Sequence, residues 1–337
     1  MRAIAGLAAV LWLACAGAGG VEKSELPASP VALLQRSEED SLRRLDALHD
    51  WEKRQTGSGK EGVALIENLD GMYGGEPDLE RRLAGVKGHL VLLDPRTGET
   101  RRLENAPPQA RPAGWSPDRQ RLLVAGTWRD RRQLFVWDRE TRRIEIATAG
   151  PAHHTTGCFA AGDRMVALEV ASPTLAQARS RIKVWPPGGG APRVLGEEAF
   201  HFGLACSPAE PRIALVRVDP EQGRTTILVQ AIDPPGAPVE VASGASPVFT
   251  PDGAWIVYVG RTTKGQRLYR VRPDGNGRTP LGAGITEETF PAVSPDGRFV
   301  AYVSTEESGR ERLWVRRLDG SGDRPLLGSG DGSLPVW

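Results

Sequence analysis

Short runs of β-branched, aromatic and aliphatic residues alternate along most of this chain with turns built from Ser, Pro, Asp and Gly. That segmentation predicts many brief strands joined by tight turns. One turn recurs: Phe249-Thr250-Pro251-Asp252-Gly253, Val293-Ser294-Pro295-Asp296-Gly297 and Trp115-Ser116-Pro117-Asp118 share an apolar residue, a hydroxyl, Pro and Asp. Degenerate copies lie at Cys206-Ser207-Pro208 and Phe159-Ala160-Ala161, and the steps between successive copies are 44, 47, 43 and 44 residues. A further step of 44 residues from Val293 reaches Trp337. The motif suits a type I turn, with a side-chain acceptor first, a fixed φ second and Gly fourth.

Each turn therefore joins two strands. A third follows, as in Leu134–Trp137, Ile182–Trp185, Leu268–Val271 and Leu313–Val315, and a short fourth closes the unit, as in Arg324–Leu327. Four strands at this period are the signature of a propeller blade. Five units run from about residue 110 to 330, and Leu334-Pro335-Val336-Trp337 has the form of the first strand of a sixth, matching Phe290-Pro291-Ala292-Val293. The remaining strands of that blade are predicted at Val63–Glu67, His89–Asp94 and Glu99–Leu103, with an inserted loop over Gly71–Lys87. The fold class is thus all-β, a six-bladed β-propeller over 62–337 closed by N- and C-terminal strands, which removes exposed sheet edges.

Before it, residues 19–61 read as a linker and a short amphipathic helix from Pro30 to about Lys53, with Leu42, Leu45, Leu48 and Trp51 on one face. Such a helix packs on the propeller's flank or serves as a partner-binding arm. Residues 1–18 read as a secretory signal: Met1-Arg2 precedes an apolar run from Ala3 to Ala14, too short to span a bilayer, with a cleavage site at Ala16-Gly17-Ala18. Leu13-Ala14-Cys15 also has the form of a lipobox ending, which makes Cys15 a candidate lipidation site, although Trp12 departs from that pattern.

Composition narrows the function. The 40 Gly and 27 Pro suit a turn-rich β protein, and 43 Lys and Arg against 42 Asp and Glu give no basic face for nucleic acid. Export puts Cys158 and Cys206 where a disulfide persists, but they stand one register step apart on neighbouring inner strands, an offset that aims side chains to opposite faces. Two buried thiols are the expectation. No Gly-x-Ser-x-Gly elbow is present, Gly57-Ser58-Gly59-Lys60 lacks the Ser or Thr of a phosphate loop, and the turn aspartates Asp118, Asp252, Asp274 and Asp296 occupy positions the turns require.

One constellation remains. Aligned on the repeat, His154, His201 and Glu288 each lie five residues before the reference position, with His153 and Glu287 one residue earlier. These segments enter the innermost strands and converge on one mouth of a propeller's channel, where two His and a carboxylate could hold a divalent metal or His could act as acid or base. The alternative is neighbouring loops carrying ordinary hydrogen-bonded polar residues.

The Ser-Pro-Asp-Gly hairpins at 294–297 and their relatives at 116–118 and 250–253 resemble the repeats of the TolB-type propeller family, over roughly residues 62–337. TolB's N-terminal α/β domain has no counterpart in the 40 or so residues before the blades. The resemblance implies a bacterial envelope location and binding or assembly rather than catalysis. Related blades also occur in sugar-acid lyases and beside peptidase domains, so fold does not decide activity. The expectation is a periplasmic or outer-membrane-anchored, non-enzymatic scaffold, monomeric, with a protein or cell-wall partner and membrane contact only through a lipid anchor. The rival is a metal-dependent carbohydrate lyase or hydrolase at the histidine mouth, and a third option is a small-ligand sensor using the same funnel.

Overall fold

A computed structural model describes residues 20–55, 86–170, 179–219, 224–263, 265–282, 287–305, 311–327 and 331–337. Strands β1 (Val31–Arg36), β2 (His89–Leu93) and β3 (Thr100–Arg102) open the sheet order in the chain. Blade 1 follows as β4 (Arg111–Trp115), β5 (Arg121–Trp128), β6 (Arg131–Asp138) and β7 (Ile144–Ile146), and blade 2 as β8 (His153–Ala160), β9 (Arg164–Val170), β10 (Ser180–Val184) and β11 (Arg193–Ala199). Blade 3 comprises β12 (His201–Cys206), β13 (Arg212–Asp219), β14 (Arg224–Ala231) and β15 (Val239–Ser243), and blade 4 β16 (Ala245–Phe249), β17 (Ile256–Thr262), β18 (Gly265–Val271) and β19 (Thr279–Pro280). Blade 5 is β20 (Glu287–Val293), β21 (Phe299–Thr305), β22 (Glu311–Arg317) and β23 (Arg324–Pro325), and β24 (Asp331–Val336) ends the chain.

These strands form six antiparallel four-stranded sheets, the sixth in the order β24-β1-β2-β3. The protein is a six-bladed β-propeller. Its ring closes where β24 pairs with β1, Ala32 opposite Val336 and Arg36 opposite Asp331. Apolar residues occupy both faces of the inner strands because every blade is sandwiched between two others. In blade 6, Val31 and Leu33 pack on blade 5 with Phe299 and Val315, while Ala32 packs on blade 1 with Leu122 and Trp137.

The closing blade differs from the expectation in one strand. Its second strand is Val31–Arg36, drawn from the stretch read as linker and helix; the expected strand Val63–Glu67 lies outside the described residues, as does the inserted loop up to residue 85. Helix α1 (Glu38–Gln55) begins after β1 rather than at Pro30. Ser37 caps it, its Oγ accepting from Asp40 N at 3.1 Å. Leu42 is 53% exposed, and the side chains of Leu45, Leu48 and Trp51 lie outside the described set. A buried Arg44–Glu311 pair at 3.3 Å ties the helix to blade 5.

Nor is the segment before β1 a free linker. Val21 and Leu26 are buried in the core between blades 5 and 6, Arg298 donates to the Glu25 carbonyl at 2.9 Å, and Trp337 Nε1 donates to the Ser29 carbonyl at 3.0 Å.

Cys158 and Cys206 form a disulfide across blades 2 and 3, with Cα atoms 5.6 Å apart, which corrects the expectation of two thiols. The register offset was real, and its consequence is the reverse of the one expected. Facing sheets touch through opposite faces, so Phe159 looks back to blade 1 while Cys158 looks forward to blade 3, where Cys206 looks back. Opposite faces are what a bond between adjacent blades requires.

Candidate functional site in the central channel

All six innermost strands line one cavity of about 330 Å³ along the axis of the ring. Its walls are mostly apolar: Phe159, Phe202, Phe249 and Phe290 with Pro112, Pro247, Pro291 and Pro335. Each innermost strand carries a bulge, between Pro112 and Gly114, His154 and Thr156, His201 and Gly203, Ala245 and Val248, and Thr289 and Ala292, and opposite Ala32–Leu34 in the closing blade, lying farther from the end of the strand in blades 2 and 3 than in the others. A bulge bends the strand and re-aims its side chains. In blades 4 to 6 the bulged residue is a left-handed Ser246, Phe290 or Leu334, with φ of 49°, 48° and 51°, each preceding a proline.

The innermost strands begin at one mouth of this channel, here the near mouth, and end at the other, the far mouth. The five candidate residues are at the near mouth, but they turn between blades rather than toward one another. His154 Nδ1 lies 3.1 Å from Gln133 Oε1 on β6, and His201 Nδ1 lies 3.1 Å from Ser180 Oγ on β10. Glu288 is 1% exposed; its carboxylate accepts from Leu268 N on β18 at 3.0 Å and from Arg316 at 2.7 Å. At one repeat position, then, three polar side chains bond to the third strand of the preceding blade. His153 Nδ1 accepts from Arg132 N at 3.2 Å, and Glu287 is exposed on the surface beside Gly265.

Burial sets their electrostatics. Loss of solvent lowers the pKa of both His154 and His201 to about 4, opposed at His154 by the Glu169 carboxylate 3.7 Å away. Both rings are therefore neutral near pH 7. His153 is lowered by the same desolvation, with Arg131 and Arg132 adding to it. Among the described residues no three His, Cys, Asp or Glu side chains form a group that could hold a metal ion.

The far mouth is built from the recurring turns, and they form as the sequence implies. Gly253 N donates to Thr250 O at 2.8 Å and Gly297 N to Ser294 O at 2.9 Å, while Asp252 and Asp296 accept from Thr250 and Ser294 and are held below the usual carboxylate range by those bonds, against desolvation. The fourth residue is left-handed: Gly253 has φ 70° and Gly297 φ 71°. In blade 1 that position is Arg119, with φ 63°. A side chain with Cβ pays roughly 1–2 kcal/mol there that Gly avoids.

Arg119 lines the cavity with its guanidinium 4.8 Å from the Trp115 ring centre. The one hydrogen bond of its side chain is a long one, from Nη2 to the Pro30 carbonyl at 3.4 Å, its Nε is shut off from solvent without an acceptor, and no carboxylate among the described residues pairs with it. Burial and the neighbouring Arg139 pull its pKa down to about 9. Trp115, 8% exposed, also has an unpartnered Nε1. Among the described residues lining the channel, the Thr155 hydroxyl toward the near mouth is likewise without a partner. Sequence reasoning passed over Arg119, although an Arg in the place of a turn glycine was its signal.

No family model matches the chain. It is 23% identical over 267 residues to an uncharacterized protein of Agrobacterium fabrum, covering 75% of this chain and 89% of that one. Among solved structures it is similar to TolB from Acinetobacter baumannii, with a TM-score of 0.63 at 13% identity over 97% of this chain and 69% of that one. It is likewise similar to a TolB candidate from Agrobacterium tumefaciens, with a TM-score of 0.59 at 20% identity over 70% and 86% of the two chains. An oligogalacturonate lyase in complex with manganese gives a TM-score of 0.51 at 16% identity over 71% of this chain and 70% of that one. At these identities the likeness is one of architecture. The chain carries the TolB-like six-bladed β-propeller fold.

Proposed function

We propose that this chain is an exported, non-enzymatic binding or scaffold propeller of the bacterial envelope, monomeric, presenting its rim or channel mouth to a protein or cell-wall partner. The observation that carries this reading is the use made of the near-mouth acid–base groups. His154, His201 and Glu288 are committed to blade-to-blade bonds, leaving an apolar channel suited to binding.

Two features support export. Residues 1–18 have the pattern of a secretory signal, and the Cys158–Cys206 disulfide belongs to an oxidising compartment. Lipidation at Cys15 would tether the protein to the outer membrane; cleavage after Ala18 would release it into the periplasm. Among the described residues no helix is long and apolar enough to cross a membrane.

The test is crosslinking in envelope extracts with the signal intact, coupled to metal quantitation on the purified protein. The reading expects a discrete crosslinked partner, weakened by Phe290→Ala in the channel, and no stoichiometric divalent ion. One divalent ion per chain, lost on His154→Ala with His201→Ala together with turnover of a sugar acid, would establish the rival carbohydrate lyase or hydrolase instead.

A further inference from the structure

We propose that the far mouth is a carboxylate-binding site, in which the Arg119 guanidinium takes the head group of a small organic acid whose apolar body lies in the channel. The inference shares the channel with the partner-binding reading but rests on a different residue, Arg119, so titration with a small acid can succeed or fail whatever the fate of the partner crosslink.

The position of Arg119 is the first argument. The position is Gly in blades 4 and 5 and Asp163 in blade 2, residue types that tolerate a left-handed backbone, whereas the left-handed Arg119 of blade 1 carries a cost in backbone strain. The fold gains little in return: a 3.4 Å hydrogen bond to Pro30 and a stacking contact with Trp115. Such a contact holds a guanidinium in place without neutralising it.

The second argument is charge. A largely desolvated cation is normally paired with an anion or displaced to solvent. Arg119 is neither. The nearest acid in sequence, Asp118, is engaged in its own turn by the Ser116 hydroxyl and Gln120 N. Its lowered pKa, set by burial and by Arg139, is what an uncompensated cation shows and what an incoming anion would reverse.

The third is the cavity, which selects the class of anion. The cavity that Arg119 lines is also walled by Trp115, Phe159, Phe249 and Pro295. One guanidinium fork matches one carboxylate, whereas a phosphate dianion would have to shed its water against apolar walls with a single cation to offset it. An acid with an aromatic or aliphatic body satisfies both the cation and the walls.

Calorimetric titration of the full chain with 4-phenylbutyrate, its neutral amide and inorganic phosphate tests this. The acid is expected to bind at least tenfold more tightly than either the amide or phosphate. Arg119→Gly restores the residue the repeat uses and so keeps the turn; it is expected to weaken the acid at least tenfold and to leave the amide unchanged. Equal binding of acid and amide, phosphate binding as tight as the acid, no binding of the acid, or undiminished binding by Arg119→Gly would each overturn the proposal.

Discussion

The two mouths of the channel treat buried polarity in opposite ways. At the near mouth His154, His201 and Glu288 sit at one repeat position and each reaches the third strand of the preceding blade, so that burial of a polar group becomes a joint in the ring. At the far mouth a half-buried Arg119 and a buried Trp115 line the same cavity, the Arg119 Nε and Trp115 Nε1 donors left over. Sequence composition alone would rank histidines and carboxylates above a turn arginine as functional groups. The partners rank them the other way, because a polar side chain that has spent its hydrogen bonds on the fold has little left for a ligand.

The contrast can be broken most severely where the ring itself is joined. Deleting Leu334–Trp337 removes the Ala32–Val336 pair, the bulge at the end of the β24–β1 ladder and a Trp337 that is only 7% exposed. A buried Trp alone is worth about 3–5 kcal/mol, so the deletion is expected to abolish cooperative unfolding in urea. Retention of the full midpoint would mean the ring does not close there.

Next in size is the disulfide. Reduction of Cys158–Cys206, which spans 48 residues, should cost about 2–4 kcal/mol, read as a lower urea midpoint with dithiothreitol. At the near-mouth ion pair, Glu288→Gln leaves Arg316, itself 4% exposed at the side chain, with Asp323 at 2.6 Å as its remaining carboxylate, and is expected to cost about 1–3 kcal/mol in urea unfolding.

Acid should act on the same mouth. The folded-state values of His154 and His201 lie near 4, below the unfolded value of about 6.5, so the unfolded chain binds protons first. Their contribution is complete above pH 6.5 and is lost as pH falls toward 4, by on the order of 1–3 kcal/mol for each ring. Thermal melts between pH 7 and pH 4 check this: replacing both rings with Gln should flatten the profile, and an unchanged slope would contradict the assignment.

The smallest effect has the opposite sign. Arg119→Gly should raise stability by roughly 1 kcal/mol, since Gly accepts the left-handed turn without strain. A measurable loss in the urea midpoint would assign Arg119 to the fold instead of the ligand.

Much of the architecture was legible because the Ser-Pro-Asp turn is local chemistry repeated at a fixed period, and its copies fall where the strands β4 to β21 change direction. The second strand of blade 6 was not. Val31-Ala32-Leu33-Leu34 is buried on both faces, so it shows no alternation and merges with the helix that follows; Ser37, three residues before Asp40, marked the boundary. The near-mouth constellation was found by alignment on the repeat, which locates residues along the axis but not the side of the blade they face. That same omission hid the disulfide. Arg119 was visible only as a departure from a motif, a signal that gains meaning once its φ, its stacking on Trp115 and its missing counter-ion are seen together.

Equilibrium urea unfolding of Glu288→Gln and Arg119→Gly, measured side by side with the parent chain, tests most directly whether one mouth holds the ring and the other is free to bind. The account expects Glu288→Gln to lower the midpoint clearly and Arg119→Gly to leave it equal or higher. A loss in Arg119→Gly as large as that in Glu288→Gln would contradict it.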